Sequence, residues 1–177
     1  MAQEPLADKH YEFMRQALVE ADKARAIGEV PIGAVVVYQD QVIAAAHNLR
    51  ETNQEATSHA EVLAIQAANQ KLGHWRLSDC DLYVTLEPCP MCSGAMILSR
   101  IRHVYFGAYD QKAGTAGSLM NLLTDQRFNH QVQVTGGLLA AESQEMLQAF
   151  FKTLRQRNKA RKKARRQAEQ QKMQSNL

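Results

Sequence analysis

No uninterrupted apolar run in the 177 residues approaches the ~18–20 that a membrane-spanning helix needs, which argues against an integral membrane protein. The opening decamer MAQEPLADKH lacks the basic-then-apolar layout of a secretory signal, so the expected location is cytoplasmic. Cysteine is scarce: three thiols cannot all pair within one chain, which excludes a disulfide framework. Proline and glycine are few (4 and 9), and neither an internal repeat nor a linker divides the chain. What remains is 45% hydrophobic and 22% charged, enough for one domain with a real core and too apolar for wholesale disorder.

The net charge of +3 is unevenly spread. Residues 152–177 carry ten Lys or Arg against one acid, Glu169, a net +9, while the preceding body is a net −6. That imbalance suits a polyanionic partner, and equally a solvated helix face. We therefore divide the chain into a domain over 1–157 and a basic extension over 158–177, helical or disordered.

Apolar residues at three- and four-residue spacing between Tyr11 and Ile27 predict a helix with one buried face, stopped by Gly28. Ile32–Tyr38 and Val42–Ala46 flank a polar turn and predict a β-hairpin, followed by a polar loop over 48–57. Further on, the pattern predicts helices from Ser58 to Leu72 and from Met91 to Arg100, with Pro90 suited to a first helical turn. Strands are expected at Asp81–Leu86, Arg102–Phe106 and Gln131–Thr135, a short helix at Ser118–Leu123, and a long helix from Ala140 past Arg157. Strands alternating with helices after an opening hairpin imply a mixed sheet covered on both faces. In such sheets ligands sit outside the carboxyl ends of the strands, where helix N-termini converge.

Two loop-to-helix junctions of that kind carry the chemistry. One reads Thr57-Ser58-His59-Ala60-Glu61 and the other Glu87-Pro88-Cys89-Pro90-Met91-Cys92. An imidazole and two thiols suit tetrahedral zinc, although iron is not excluded by donor type. Cys89 and Cys92, three apart on an opening helix, can present both sulfurs from its first turn, where the helix end favours thiolate. Three protein ligands leave a fourth position for water, with a pKa near ~7 in favourable sites. Glu61, two residues past His59, is placed to move protons. Two residues on a regular helix point ~200° apart, so His59 and Glu61 converge only if the helix end itself faces the metal.

Duller readings stand beside these. Ser58 and Glu61 fit a helix capping box, and Cys-x-x-Cys fits a redox pair. Cys80 is a small buried hydrophobe or a rival fourth ligand that would close the site, with His47 and His74 as weaker rivals.

The H-x-E and P-C-x-x-C pair is the signature of zinc deaminases. Beyond it, EVPIGAVVV, HNLRET, SHAE, LYVTLEPCPMCSGAM, YFGAYD, GSLMNLL, FNH and the FF before the tail span most of the chain. In these segments the sequence resembles the bacterial tRNA-specific adenosine deaminases. The resemblance implies a three-layer α/β/α cytidine deaminase-like fold around a five-stranded mixed sheet, and a homodimer with active sites near the subunit interface. It also implies hydrolytic deamination of adenosine to inosine at the wobble position of a tRNA anticodon, with arginine tRNA as the expected substrate. On this likeness His59, Cys89 and Cys92 hold one Zn2+ per subunit, and Glu61 shuttles protons to and from a zinc-bound hydroxide. Asn48 and the Ala60 amide would face the base, Pro31 would wall the pocket, and Asp110, Asn129 and His130 would lie near the RNA. Locally, each of these also reads as a turn, loop or strand-entry residue. Two rivals remain: a zinc deaminase of free bases or nucleosides, and a non-catalytic RNA-binding module with a closed zinc.

Overall fold

The structure, a computed structural model, describes residues 7–175, with side chains described as far as residue 171. The signal reading of the first six residues and the last two residues of the basic extension lie outside that range. Helix α1 (Asp8–Ala26) buries Phe13, Met14, Ala17, Ala21 and Ala24, the stripe its spacing predicts, and starts three residues earlier than expected. Strands β1 (Gly33–Tyr38) and β2 (Gln41–His47) form the expected antiparallel hairpin. A single turn, α2 (Arg50–Asn53), interrupts the polar loop, and α3 (Ala60–Leu72) ends at Gly73. Next come β3 (Cys80–Leu86), α4 (Pro90–Ser99), β4 (His103–Ala108), β5 (Gln133–Gly136) and the 36-residue α5 (Ala140–Ser175).

The five strands lie in the order β2-β1-β3-β4-β5, with β1 antiparallel to both neighbours and β3, β4 and β5 parallel. Side chains alternate across such a sheet, and both faces here are apolar. Val35, Val37, Tyr83 and Tyr105 meet Phe13, Met14 and Ala17 of α1 on one face. Ala34, Val36, Leu82, Val84, Val104 and Phe106 pack under α3 and α4 on the other. Helix α5 joins α1, contacting β4 and β3. Three layers result: α1 and α5, the sheet, then α3 and α4. Gly33 is required where it stands, since a Cβ there would run into the backbone of Ala17 and Ala21 in α1. Among the described residues no helix is long and apolar enough to cross a membrane.

The expected helix at Ser118–Leu123 does not form. The segment is a loop with one isolated bridge between Ala116 and Asn121. Its amides are engaged elsewhere: Ala116 and Ser118 donate to the Glu87 carboxylate at 3.0 and 2.9 Å, and Gly117 donates to the Met120 carbonyl at 3.0 Å. Leu122, whose N–H a helix would give to the Ser118 carbonyl, donates instead to the Thr115 carbonyl at 3.0 Å, so the i→i−4 ladder has no first rung. The last strand starts two residues later and ends one later than expected, at Gln133–Gly136 instead of Gln131–Thr135.

Because β1 runs against β3, its amino end lies beside the carboxyl ends of β2, β3 and β4. The Gly33 N–H donates to Thr85 Oγ1 at 3.2 Å across that boundary. Pro31, Asn48, the start of α3, the start of α4 and Asp110 are thereby gathered at one end of the sheet.

Candidate metal centre and active site

His59 is the N-cap of α3 and Cys89 the N-cap of α4, both in extended conformation (φ −81°, ψ 149° and φ −78°, ψ 173°). Neither helix end has a side-chain cap, and α4 opens on Pro90, which has no N–H to satisfy. The capping-box reading fails: the Ser58 hydroxyl donates to Glu55 Oε2 at 2.8 Å, one residue before the cap. The N-cap position also removes the ~200° problem, since His59 is not helical and only Glu61 lies on the helix.

His59 Nδ1 lies 3.7 Å from Cys89 Sγ and 3.6 Å from Cys92 Sγ, and all three donor atoms fall within 4.8 Å of one another. Tetrahedral zinc with its usual Zn–S and Zn–N bond lengths separates sulfur from nitrogen by about 3.6 Å. The donors therefore already stand at zinc spacing. The Cys92 thiol, hydrogen-bonded to Cys89 and deeply buried, is pushed up, while that bond and His59 pull Cys89 down to about 4. His59 is raised in turn, mainly by its bond to Cys89. A thiolate crowded by a second sulfur and an imidazole is chemistry that a divalent cation completes.

Glu61 is 4% exposed, and its Oε2 has no hydrogen-bond partner. Burial, then the nearby Cys89 charge, holds its carboxyl above the usual range. An unpartnered buried carboxyl oxygen costs free energy unless something binds it, so it marks the working side of the site.

The other predicted residues fall in two groups. Asn48 is buried at the end of β2, Ala60 is the fully buried first residue of α3, and Pro31 is buried just before β1. Asp110 is half-buried, but Oδ1 accepts from the Lys112 and Ala113 amides at 2.9 and 3.3 Å, so the carboxylate also holds its own turn. Asn129 is exposed, and His130 Nε2 pairs with the Ile101 carbonyl at 2.8 Å. Ile101 precedes β4, so this pair lies at the opposite end of the sheet from the three donors. The rivals for the metal are placed elsewhere. Cys80 opens β3, a strand's length from Cys89; His47 Nδ1 bonds Glu20 Oε2 at 2.9 Å; His74 is exposed.

Two acids that sequence patterning passed over support this end of the sheet. Glu29, 1% exposed, accepts from Asn48 Nδ2 at 3.1 Å and from the Thr52 amide at 2.5 Å, fixing the Asn48 side chain. Glu87, 2% exposed, takes the Asp110 amide on Oε2 at 2.9 Å as well as Ala116 and Ser118 on Oε1, and the Ser118 hydroxyl bonds Oε2. A Cβ on Gly114 would collide with that carboxylate, so only glycine lets the loop close around it. At the carboxyl ends of β3 and β4 opens a cleft of about 950 Å³, lined by Val30, Leu86, Tyr109, Asp110 and the exposed face of α5 from Gln144 to Arg155; neither the three donors nor Glu61 line it.

The family model of the MafB19-like deaminases matches residues 8–155. A tRNA-specific adenosine deaminase of Bacillus subtilis is 56% identical over 148 residues, which are 84% of this chain and 92% of that protein. The chain belongs to the tRNA-specific adenosine deaminase family. It is a hydrolytic deaminase with the cytidine deaminase-like α/β fold. A solved structure from work on A-to-I editing by tRNA:A34 deaminases superposes with a TM-score of 0.74 at 44% identity, covering 77% of this chain and 99% of that one. The guanine deaminase of Bacillus subtilis is more distant, with a TM-score of 0.56 and 39% identity over 62% of this chain and 70% of its own.

For a member of this family the position of Cys80 has a direct consequence. Cys80→Ser will keep about one zinc per chain by elemental analysis, because its thiol, 1% exposed and raised to about 11 chiefly by burial, belongs to the core. Loss of zinc from that variant would mean a fourth protein ligand and a closed site.

Proposed function

We propose that this enzyme hydrolyses adenosine to inosine at the wobble position of a tRNA anticodon, with arginine tRNA as substrate and one Zn2+ per subunit held by His59, Cys89 and Cys92. The observation that carries the reading is the buried Glu61 carboxyl, with its Oε2 unpartnered, set beside three donors at zinc spacing. Zinc held there would polarise a water molecule and bring its pKa near ~7. Glu61 then takes a proton from the attacking water and returns it to N1 of the base as the water oxygen adds to C6. A second proton transfer lets ammonia leave, so adenosine and water give inosine and ammonia. Asn48, locked by Glu29, offers amide groups to the purine edge, the Ala60 N–H at the uncapped start of α3 adds a donor, and Pro31 walls the pocket. Asp110 at the mouth of the cleft serves the ribose-phosphate side, where a 2′-OH can be bound. An anticodon loop presents its bases unpaired, so the base enters the pocket at less cost than from a duplex.

The working unit in this proposal is a cytoplasmic homodimer. Leu98 on α4 is 72% exposed, and Leu119 and Met120 are 55% and 53% exposed in the loop that the Ser93–Thr115 hydroxyl contact ties to α4. Apolar side chains left bare on one side of the fold suit a second copy. Asn129 and His130, remote from the donors of their own chain, act in this arrangement through the partner's substrate.

The test is inosine formation, read by mass spectrometry of digested RNA, with zinc-loaded protein on an A-wobble arginine tRNA and separately on free adenosine and guanine. Inosine in the tRNA alone is the expected result. Turnover of a free base or nucleoside alone would move the substrate, and inertness of folded, zinc-bearing protein toward all three would remove the reading.

A further inference from the structure

Helix α5 does not end where the globular body ends. From Arg155 to Gln171 every residue is exposed, and past Arg157, which still faces Arg25 and Gly28, the helix runs clear of the body. The likeness to the family model stops at residue 155, where this exposed segment starts. Its charges are ordered. Gln144, Gln148, Lys152 and Arg155 line the cleft, and the same steps of three and four continue outward through Lys159, Lys162 and Arg166. At 3.6 residues per turn, Lys152, Arg155, Lys159, Lys162, Lys163 and Arg166 fall within about 100° of one another. Arg157, Arg161 and Arg165 lie on the opposite face, where Arg165 bonds Glu169 at 3.2 Å. Among the described residues that is the only ion pair beyond residue 155.

We infer that this row of six cations is a second RNA contact, a rail that takes the phosphates of the tRNA body as the strand leaves the cleft. This rests on the tRNA reading above. The row is about 21 Å long at 1.5 Å per residue, which exceeds what one anticodon loop nucleotide needs and suits the stem behind it. Long cationic side chains held at one-turn intervals on a rigid helix meet phosphates with little ordering left to do. The body is a net −6 and the tail a net +9, so the net attraction of a polyanion is toward the tail.

The test compares two charge-matched triple variants of the full-length protein: K159Q/K162Q/R166Q on the rail and R157Q/R161Q/R165Q opposite it. All six positions are exposed, so neither variant disturbs the core. Binding of full-length tRNA and of an isolated anticodon stem-loop is read by fluorescence anisotropy between 50 and 200 mM salt. The rail variant is expected to raise Kd for full-length tRNA roughly tenfold or more and to lower the salt slope by about 2–3. The stem-loop should lose less, and the opposite-face variant should change either Kd by less than about threefold. Equal losses from both variants would reduce the rail to diffuse charge and overturn it. So would an unchanged Kd, or a change in oligomeric state by light scattering without a change in RNA affinity, which would assign the row to an acidic protein surface. Wild-type protein that binds tRNA through the rail yet forms no inosine would instead sink the deaminase reading and leave the rail standing.

Discussion

Glu61→Gln will load zinc normally and lose turnover on its RNA by ~10²–10⁴-fold, the range for removing a positioned general acid–base group. The substitution keeps shape and removes only the ability to take and return a proton. It replaces none of the three donors, so metal content by elemental analysis should stay at one per chain. Stability gives an independent reading. Wild-type protein holds a carboxyl that is 4% exposed with one oxygen unpartnered, a costly arrangement that nothing in the fold needs. The amide carries no charge to desolvate, so the thermal midpoint of the variant should match or exceed that of the wild type, the usual trade at a site built for chemistry. A variant with near-normal single-turnover inosine formation would remove Glu61 from the proton path. One that lost both zinc and stability would make it structural.

The parts legible in sequence are those with a period or a donor type. Both layers of helix, the hairpin and the alternating strands came from spacing, because burial on one face imposes 3.6 or 2 on the apolar positions. The three donors were legible because an imidazole and two thiols at two helix starts have few other uses together. What stayed hidden were contacts from a side chain to a distant backbone. Ser118–Leu123 carries helix-forming residues, yet the Ser118 amide answers to Glu87, some thirty residues away, and the Leu122 amide to the Thr115 carbonyl, and no local pattern records that. Ser58 has the spacing of a capping box with Glu61, but its hydroxyl is drawn back to Glu55 and the cap passes to His59. Glu29, just past α1, anchors Asn48 across nineteen residues, a contact that no local spacing marks. Gly114 was the nearest thing to a signal, one of three glycines in a loop, and its reason is visible only once the Glu87 carboxylate stands against it.

The same carboxylate carries the second large effect. Glu87→Gln should lower unfolding free energy by about 3 kcal/mol in urea titrations, because one end of the side chain becomes a donor facing donors. Placed on either oxygen, the new NH2 group deprives at least one of the Asp110, Ala116 and Ser118 amides of its acceptor. Hydrogen bonds to a charged acceptor contribute about 1.5–3 kcal/mol each, and a buried amide left bare adds its desolvation cost. The pH dependence follows from the same contacts. Burial would raise the Glu87 carboxyl, but the Ser118 hydroxyl and the amides of Asp110, Ser118 and Ala116 outweigh it, and the group sits below the ordinary glutamate value. A carboxyl depressed in the folded state stabilises fully above its unfolded pKa, about 4.3, and loses that contribution as pH falls through the lower folded value. Wild-type protein should therefore shed stability below about pH 4, and the glutamine variant, which has no such proton to bind, should follow a shallower acid profile over that window. The loop from Asp110 to Ser118 would also come free of the end of β3, beside the cleft, so limited proteolysis should nick it there first. Equal stability and equal acid profiles in the two proteins would mean that the loop is held by its other ties, the Thr115 amide on the Pro88 carbonyl at 2.9 Å and the Ser93–Thr115 hydroxyl contact at 2.9 Å.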